Sequence, residues 1–241
     1  MIGEVERHIE NIYAKGQFCE VLKGIRDAWP IIETAPKRIR IIKAWCLYRV
    51  KKYEQAMNIA NELGDSVIEA VELKATIYAY ADKNYKKLEE LHHRFPGNIA
   101  ICNAVAISGR DKDCPFSIQY IKSITEKIED DGSIAVGHVW NNIGRALDAK
   151  GNNSNDLADA ILFSHKAMER YGKDNYHHRA ALSFWISKYF EGIGNMYLAI
   201  GAAKRSLKLW IKAMSLDPEN SSFKKSFEGA QKRLEELLNK S

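Results

Sequence analysis

The stretch from Phe190 to Pro218, FEGIGNMYLAIGAAKRSLKLWIKAMSLDP, constrains this chain most. Phe190, Ile193 and Tyr197 are three and four residues apart, the spacing that puts side chains on one helix face. Gly194 offers room for a second helix to come close. Gly201 predicts the end of the first helix, because glycine accepts the left-handed conformation of a C-cap. Ser206, Trp210 and Ala213 then share one face of a second helix, with Trp210 as the bulky filler. Pro218 cannot extend that helix and stops it. The stretch predicts two helices folded back on each other.

The same signature opens earlier as Trp140-x2-Ile143-Gly144-x2-Leu147, and Gly151 closes that helix. The loop NNSND is expected to delay the second helix by about four residues, so that Ala160 and Ala167 supply its small positions. The N-terminal part has a weaker echo. KGQFCEV, KKYEQAM and KNYKKLE each hold a basic turn, one aromatic and then a helix start. Phe18 and Tyr53 are 35 residues apart, and Tyr53 and Tyr85 are 32 apart. Ala56 is the small residue of one such helix, and Val21 and Leu88 replace it in the others. Together these residues resemble the tetratricopeptide repeat, TPR, with its W-x2-L-G-x2-Y, A-x3-F, P pattern and a period of about 34 residues. The resemblance is specific over residues 137–220 and weaker over residues 1–96. It implies an all-α fold, an α-solenoid wound as a right-handed superhelix of antiparallel TPR-like helix pairs.

Within that frame the chain divides into degenerate helix pairs over residues 1–96, an irregular TPR-like pair over 97–135, and repeats with a C-terminal capping helix over 136–241, all one continuous solenoid. In the middle segment Asn98–Ser108 and Phe116–Ile128 read as helices. A long helical pattern runs from about His177 to Ile200. Residues 221–239 read as an amphipathic cap with Phe223, Phe227, Leu234 and Leu238 on its apolar side. The five prolines all fall between helical patterns, and period-2 segments are scarce.

Composition narrows the function classes. Of the chain's net charge of +5, residues 204–241 carry +4, with nine Lys/Arg against five Asp/Glu. That local excess could meet nucleic acid or an acidic partner, but no RNP motif, helix-turn-helix signature or zinc finger accompanies it. The four cysteines form no CxxC and have no histidine at zinc-ligand spacing. The start, MIGEVERHIENIY, lacks an apolar core of signal-peptide length. These features predict a cytoplasmic protein with reduced thiols, no cofactor and no metal. No nucleophile–base arrangement can be inferred from spacing, so no catalysis is expected.

The resemblance also implies where a partner binds, because TPR proteins hold peptides on the concave face of their first helices. Carried onto this chain, it puts His138, Asn141, Asn142, Arg145 and Asp148 there from one repeat, and Lys188, Glu191 and Asn195 from the next. Asn and Arg suit a peptide carboxylate geometrically. Glu191 among them opposes such a clamp, and an ordinary solvated groove with some peptide affinity is the plainer reading. Residues 37–52 give a further candidate surface, with Arg38, Trp45 and Arg49 beside Ile41, Ile42 and Tyr48; a two-sided core stripe is its alternative. The expected function is a non-catalytic scaffold that binds a protein or peptide partner. The alternatives are a nucleic-acid-associated helical repeat and a regulatory domain for a short signalling peptide.

Overall fold

A computed structural model describes residues 2–151 and 153–241. Among them every regular element is helical: thirteen α-helices, two short 3-10 turns and no strand. No helix of the described residues is long and apolar enough to cross a membrane. The chain forms two compact units, Met1–Arg94 and Phe95–Ser241.

The first unit holds three helical hairpins. They pair α1 (Ile2–Ala14) with α2 (Phe18–Ala28), α3 (Lys37–Arg49) with α4 (Tyr53–Leu63), and α5 (Ile68–Tyr80) with α6 (Tyr85–Arg94). Each helix packs on its successor, and α3 also packs on α1 and α5. At the three sequence breaks Gly16, Lys51 and Lys83 have φ of 74°, 63° and 50°. In the first two turns the N–H after that residue reaches back five residues to the first helix, Gln17 to Ile12 and Lys52 to Leu47, the Schellman-type closure of a helix C-terminus. The third differs: the Asp82 N–H, before Lys83, reaches Ile77, and the Asn84 N–H after it reaches Tyr78. The aromatic that follows opens the next helix and in two cases packs back on the first, Phe18 on Tyr13 at 6.0 Å and Tyr53 on Tyr48 at 5.6 Å. Val21, Ala56 and Leu88, three residues further on, are fully buried.

Helix α3 is buried on two sides. Ile39, Ile42 and Cys46 join Ile9, Val21 and Ile25 in one cluster, and Ile41, Ala44 and Leu47 join Ala56, Ile59 and Leu73 in another. Ile41 and Ile42 are therefore core. Trp45 and Tyr48 lie half-buried against the second cluster.

The second unit begins with α7 (Ile99–Ser108) and a short α8 (Ile118–Ser123), which runs into a 3-10 turn at Ile124–Glu126. The helix expected over Phe116–Ile128 is thus cut to six residues, with Ser117 as its cap. Then come α9 (Ile134–Lys150), α10 (Ser154–Arg170), α11 (Tyr176–Gly192), α12 (Met196–Leu216) and α13 (Ser221–Leu238). Successive helices from α8 to α13 pack in turn; α7 packs on α9, α9 on α11, and α11 on α13.

In the α9–α10 hairpin, Gly151 closes α9 as expected. A Cβ on Gly144 would lie 3.0 Å from the Ala160 carbonyl oxygen, so this glycine lets the helices touch. The expected delay of the second helix does not occur. Asn153 accepts a bond from the Asp156 N–H and starts α10 at Ser154. Ala160 and Ala167 fall late because α10 extends to 17 residues. Asn152 of that loop lies outside the described residues.

The α11–α12 hairpin corrects the reading of Phe190–Gly201. Helix α11 ends at Gly192, and Gly194 turns the chain with φ of 80°. The Asn195 N–H closes back on the Phe190 carbonyl at 2.8 Å, and the Asn195 side chain caps α12 through the Leu198 N–H. Phe190, Ile193 and Tyr197 therefore share no helix face; Tyr197 is 86% exposed. Gly201 sits inside α12, not at a helix end. The physical reason is that Gly194-Asn195 joins a left-handed residue to an N-cap, which overrides apolar spacing. The second half of the stretch matches its expectation: Ser206, Trp210 and Ala213 are buried, and α12 stops before Pro218.

Helix α13 lies over Trp210, which meets Phe223 at 5.6 Å. Its buried residues are Ala230, Arg233 and Leu237, while Leu238 is half exposed, one position off its expected side.

Candidate functional site

The stripe His138, Asn141, Arg145, Asp148 recurs at intervals of three and four, so α9 carries it along one face. Helix α11 packs beside α9. Because α11 runs from Tyr176 to Gly192, Trp185 and Lys188 come opposite that stripe. The Arg145 guanidinium lies 4.5 Å from the Trp185 ring centroid, and the Lys188 ammonium lies 4.6 Å from it. Lys188 is also 5.3 Å from the Phe184 ring. Both cations are held by the negative face of one indole. Asp148 stands near them and is half-buried. Burial raises its pKa, and Lys188 and Arg145 pull it back down. Tyr189 is fully buried beneath this group. Burial, then the nearby Asp148 charge, pushes its phenol up.

The structure thus brings together Arg145, Lys188 and Asp148, around a tryptophan that the sequence reading did not single out. The signal that could have found Trp185 is the Gly194-Asn195 terminator, which sets the true register of α11.

The remaining candidates have other attachments. Asn142 is buried; its amide donates to Asn103 at 2.9 Å and its oxygen accepts from Arg110 at 3.3 Å, which ties α9 to α7 and the turn after it. His138 meets the Tyr171 hydroxyl through Nδ1 at 2.9 Å, and Asn141 reaches the same hydroxyl. The His178 ring packs on both His138 and Tyr171, with centroids 4.9 Å and 4.7 Å away. Burial, with the nearby His177 and His138, lowers the pKa of His178 to about 4, so all of this cluster is neutral at pH 7. Among the described residues no group of three or more His, Cys, Asp or Glu can hold a metal ion.

Glu191 faces α13. Its carboxylate accepts from Lys240 at 2.8 Å and Arg233 at 2.7 Å, which holds its pKa down. Arg233 is buried and also donates to the Ser187 carbonyl. The C-terminal basic cluster is therefore not one continuous surface. Asn195 is spent as the cap of α12. Arg38, Trp45 and Arg49 belong to the first unit. There Arg38 pairs with Glu10 at 3.2 Å, Trp45 meets Tyr48 edge-on at 5.8 Å, and Arg49 lies 5.9 Å from the Phe18 ring centroid.

Compared with models of known protein families, the chain matches none. Comparison with curated proteins returns no significant match.

Proposed function

We propose that this chain is a non-catalytic interaction module of TPR-like helix pairs, arranged as a solenoid, that works in the cytoplasm by holding a peptide of a protein partner. The observation that supports it best is the pair of cations on Trp185, one from α9 and one from α11. Two positive groups lie on one ring with Asp148 near both. A carboxylate from a partner gains charge-assisted hydrogen bonds to them. The flat ring beside them offers apolar contact to the same segment.

Two of the four cysteines fit a non-catalytic role. Cys46 and Cys102 are buried, which pushes their thiols up to about 12 and leaves them almost wholly protonated. The nucleic-acid reading is weaker, because Arg233 of the basic cluster is buried on Glu191.

The test uses whatever partner a pull-down from the native host returns. Arg145→Ala and Lys188→Ala are each expected to weaken binding by about 1.5 to 3 kcal/mol, the range for a hydrogen bond to a charged group. The melting temperature should stay nearly the same. Unchanged affinity in both variants, with loss on changing Lys224 and Lys225 instead, moves the site to the basic C-terminal surface.

A further inference from the structure

The second unit has another concave surface, on a different side of α11 from Trp185. Helices α10 and α12 form its walls and α11 its floor. Two cavities of about 380 Å³ and 390 Å³ lie along it and share His165, Met168 and Arg205, so they form one furrow. Its two ends differ in chemistry. At one end Ile186, Phe190 and Leu198 line an apolar hollow. At the other, Lys173, Arg179, Arg205 and His165 stand with Glu169 as the single acid.

Three details suit this furrow to a ligand. Arg205 and Lys173 have no acidic partner among the described residues. The Nε of Arg179 is buried without a hydrogen-bond partner, while its Nη1 donates to the Lys173 carbonyl. Gly201 lines the apolar half within a regular helix, and a Cβ there would meet nothing within 4 Å. Glycine inside a helix is unfavourable, and neither its φ nor a neighbouring atom calls for it here. It leaves bare backbone open in the hollow.

We propose that the α10–α12 furrow is a docking surface for an acidic peptide segment with one large apolar anchor. The anchor enters the hollow at Phe190 and Leu198, and a carboxylate meets Arg205 and Arg179. Charge complementarity selects an acidic occupant, since the rim holds Lys173, Arg179 and Arg205 against Glu169 as its one acid. The concave shape between two helices selects a segment of chain rather than a membrane, which needs a convex or flat patch. The spacing follows from α12. Leu198 and Arg205 are seven residues apart, about 10 Å along the axis. The occupant therefore carries Asp or Glu about three residues from the anchor if extended, or about seven if helical.

The full chain is screened with a display library of random peptides of about twelve residues, in parallel with Gly201→Leu and Arg205→Glu. The Cβ of Gly201→Leu meets nothing within 4 Å and its side chain extends into the hollow, and Arg205 is exposed, so both variants are expected to keep the fold; their melting curves check this. Peptides enriched on the native chain are expected to pair a large apolar residue with an acid at that spacing. Their affinity should fall at least about tenfold on Arg205→Glu, as for loss of a hydrogen bond to a charged group, and should also fall on Gly201→Leu, where the anchor loses its hollow. Arg145→Ala should bind them unchanged, which separates this furrow from the Trp185 surface. The proposal is overturned if no peptide is enriched, if the enriched peptides lack acids or bind Gly201→Leu equally well, or if vesicles of anionic lipid bind through Arg205 while peptides do not.

Discussion

The hairpins α9–α10 and α11–α12 solve one packing problem with different residues. Both bring long helices close along a line of small side chains. In α9–α10 the contact is Gly144 against Ala160 and Ser164. In α11–α12 it is Ala180 against Ser206, whose hydroxyl donates to the Ala180 carbonyl at 2.8 Å. The antiparallel register set by that bond brings Ala203 opposite Ser183 and Ala199 opposite Ser187, all buried. Ser183 and Ser187 satisfy their hydroxyls on their own helix, at the Arg179 and Phe184 carbonyls. The turns differ as well. Gly151 leaves α9 in an extended conformation, with ψ of 136°, whereas Gly194 is left-handed. A Trp140-type signature therefore describes the first hairpin, but its echo from Phe190 straddles the turn of the second. The lesson is that glycine does two separate things here, close approach at Gly144 and chain reversal at Gly194, and neither at Gly201.

The largest effect expected concerns how each hairpin is covered. Trp140 is buried within its own hairpin, under Lys166 and Arg170 of α10, 5.6 Å and 5.2 Å from its ring. Trp210 instead joins its hairpin to α13 through Phe223. Trp210→Ala should cost about 3 to 5 kcal/mol, the usual range for an aromatic truncated to alanine in a core. Hydrogen exchange should speed up throughout α13. Trp140→Ala should leave α13 protected. If the two variants expose α13 equally, the hairpins do not differ in the way described.

Much of the fold was legible for a physical reason that also explains the failures. Helix existence rests on three- and four-residue apolar spacing, and that survives in every hairpin, so the all-helical class and the turns at Gly16, Lys51 and Lys83 could be read. Register within α11 and α12 rests on where the turn falls. Phe190, Ile193 and Tyr197 satisfy the spacing rule without belonging to one helix, because the rule knows nothing of the turn between them. The site inherited that slip. Arg145 and Lys188 were legible as polar residues on neighbouring first helices. Trp185 was not, since the assumed register left it before the repeat. Asn142 looks like a solvated donor in sequence; only packing reveals Asn103 and Arg110 around it. Arg233 reads as one of many surface cations, and only the approach of α13 to α11 shows it buried on Glu191.

A second way to sharpen the comparison is to place the same side chain in both hairpins. Gly144→Ala should destabilise the protein. The new methyl gains helix propensity of about 1 kcal/mol. It must also fit 3.0 Å from the Ala160 carbonyl and 3.3 Å from the Ser164 hydroxyl. Overpacking of that kind costs roughly 1 to 3 kcal/mol, so a net loss of about 1 kcal/mol is expected in urea unfolding. A gain in stability would show that α9 and α10 are not in close contact at this point, and the small-residue line would lose its meaning for this hairpin.

The smallest effect has the opposite sign. Gly201→Ala adds the same methyl to a helix, but into open space. Nothing opposes the propensity gain, and Ala also restricts the unfolded chain more than Gly does. Stability should rise by about 0.5 to 1 kcal/mol, read as a higher urea midpoint with the same slope. The contrast with Gly144→Ala is the sharper quantity, because both changes share their propensity term and differ only in what the methyl meets. If both variants lose stability, then α12 is not a regular, open-sided helix at Gly201, and the hollow beside Phe190 and Leu198 is closed. If Gly201→Ala alone gains, the glycine is kept for something other than folding, which is what an occupied furrow requires.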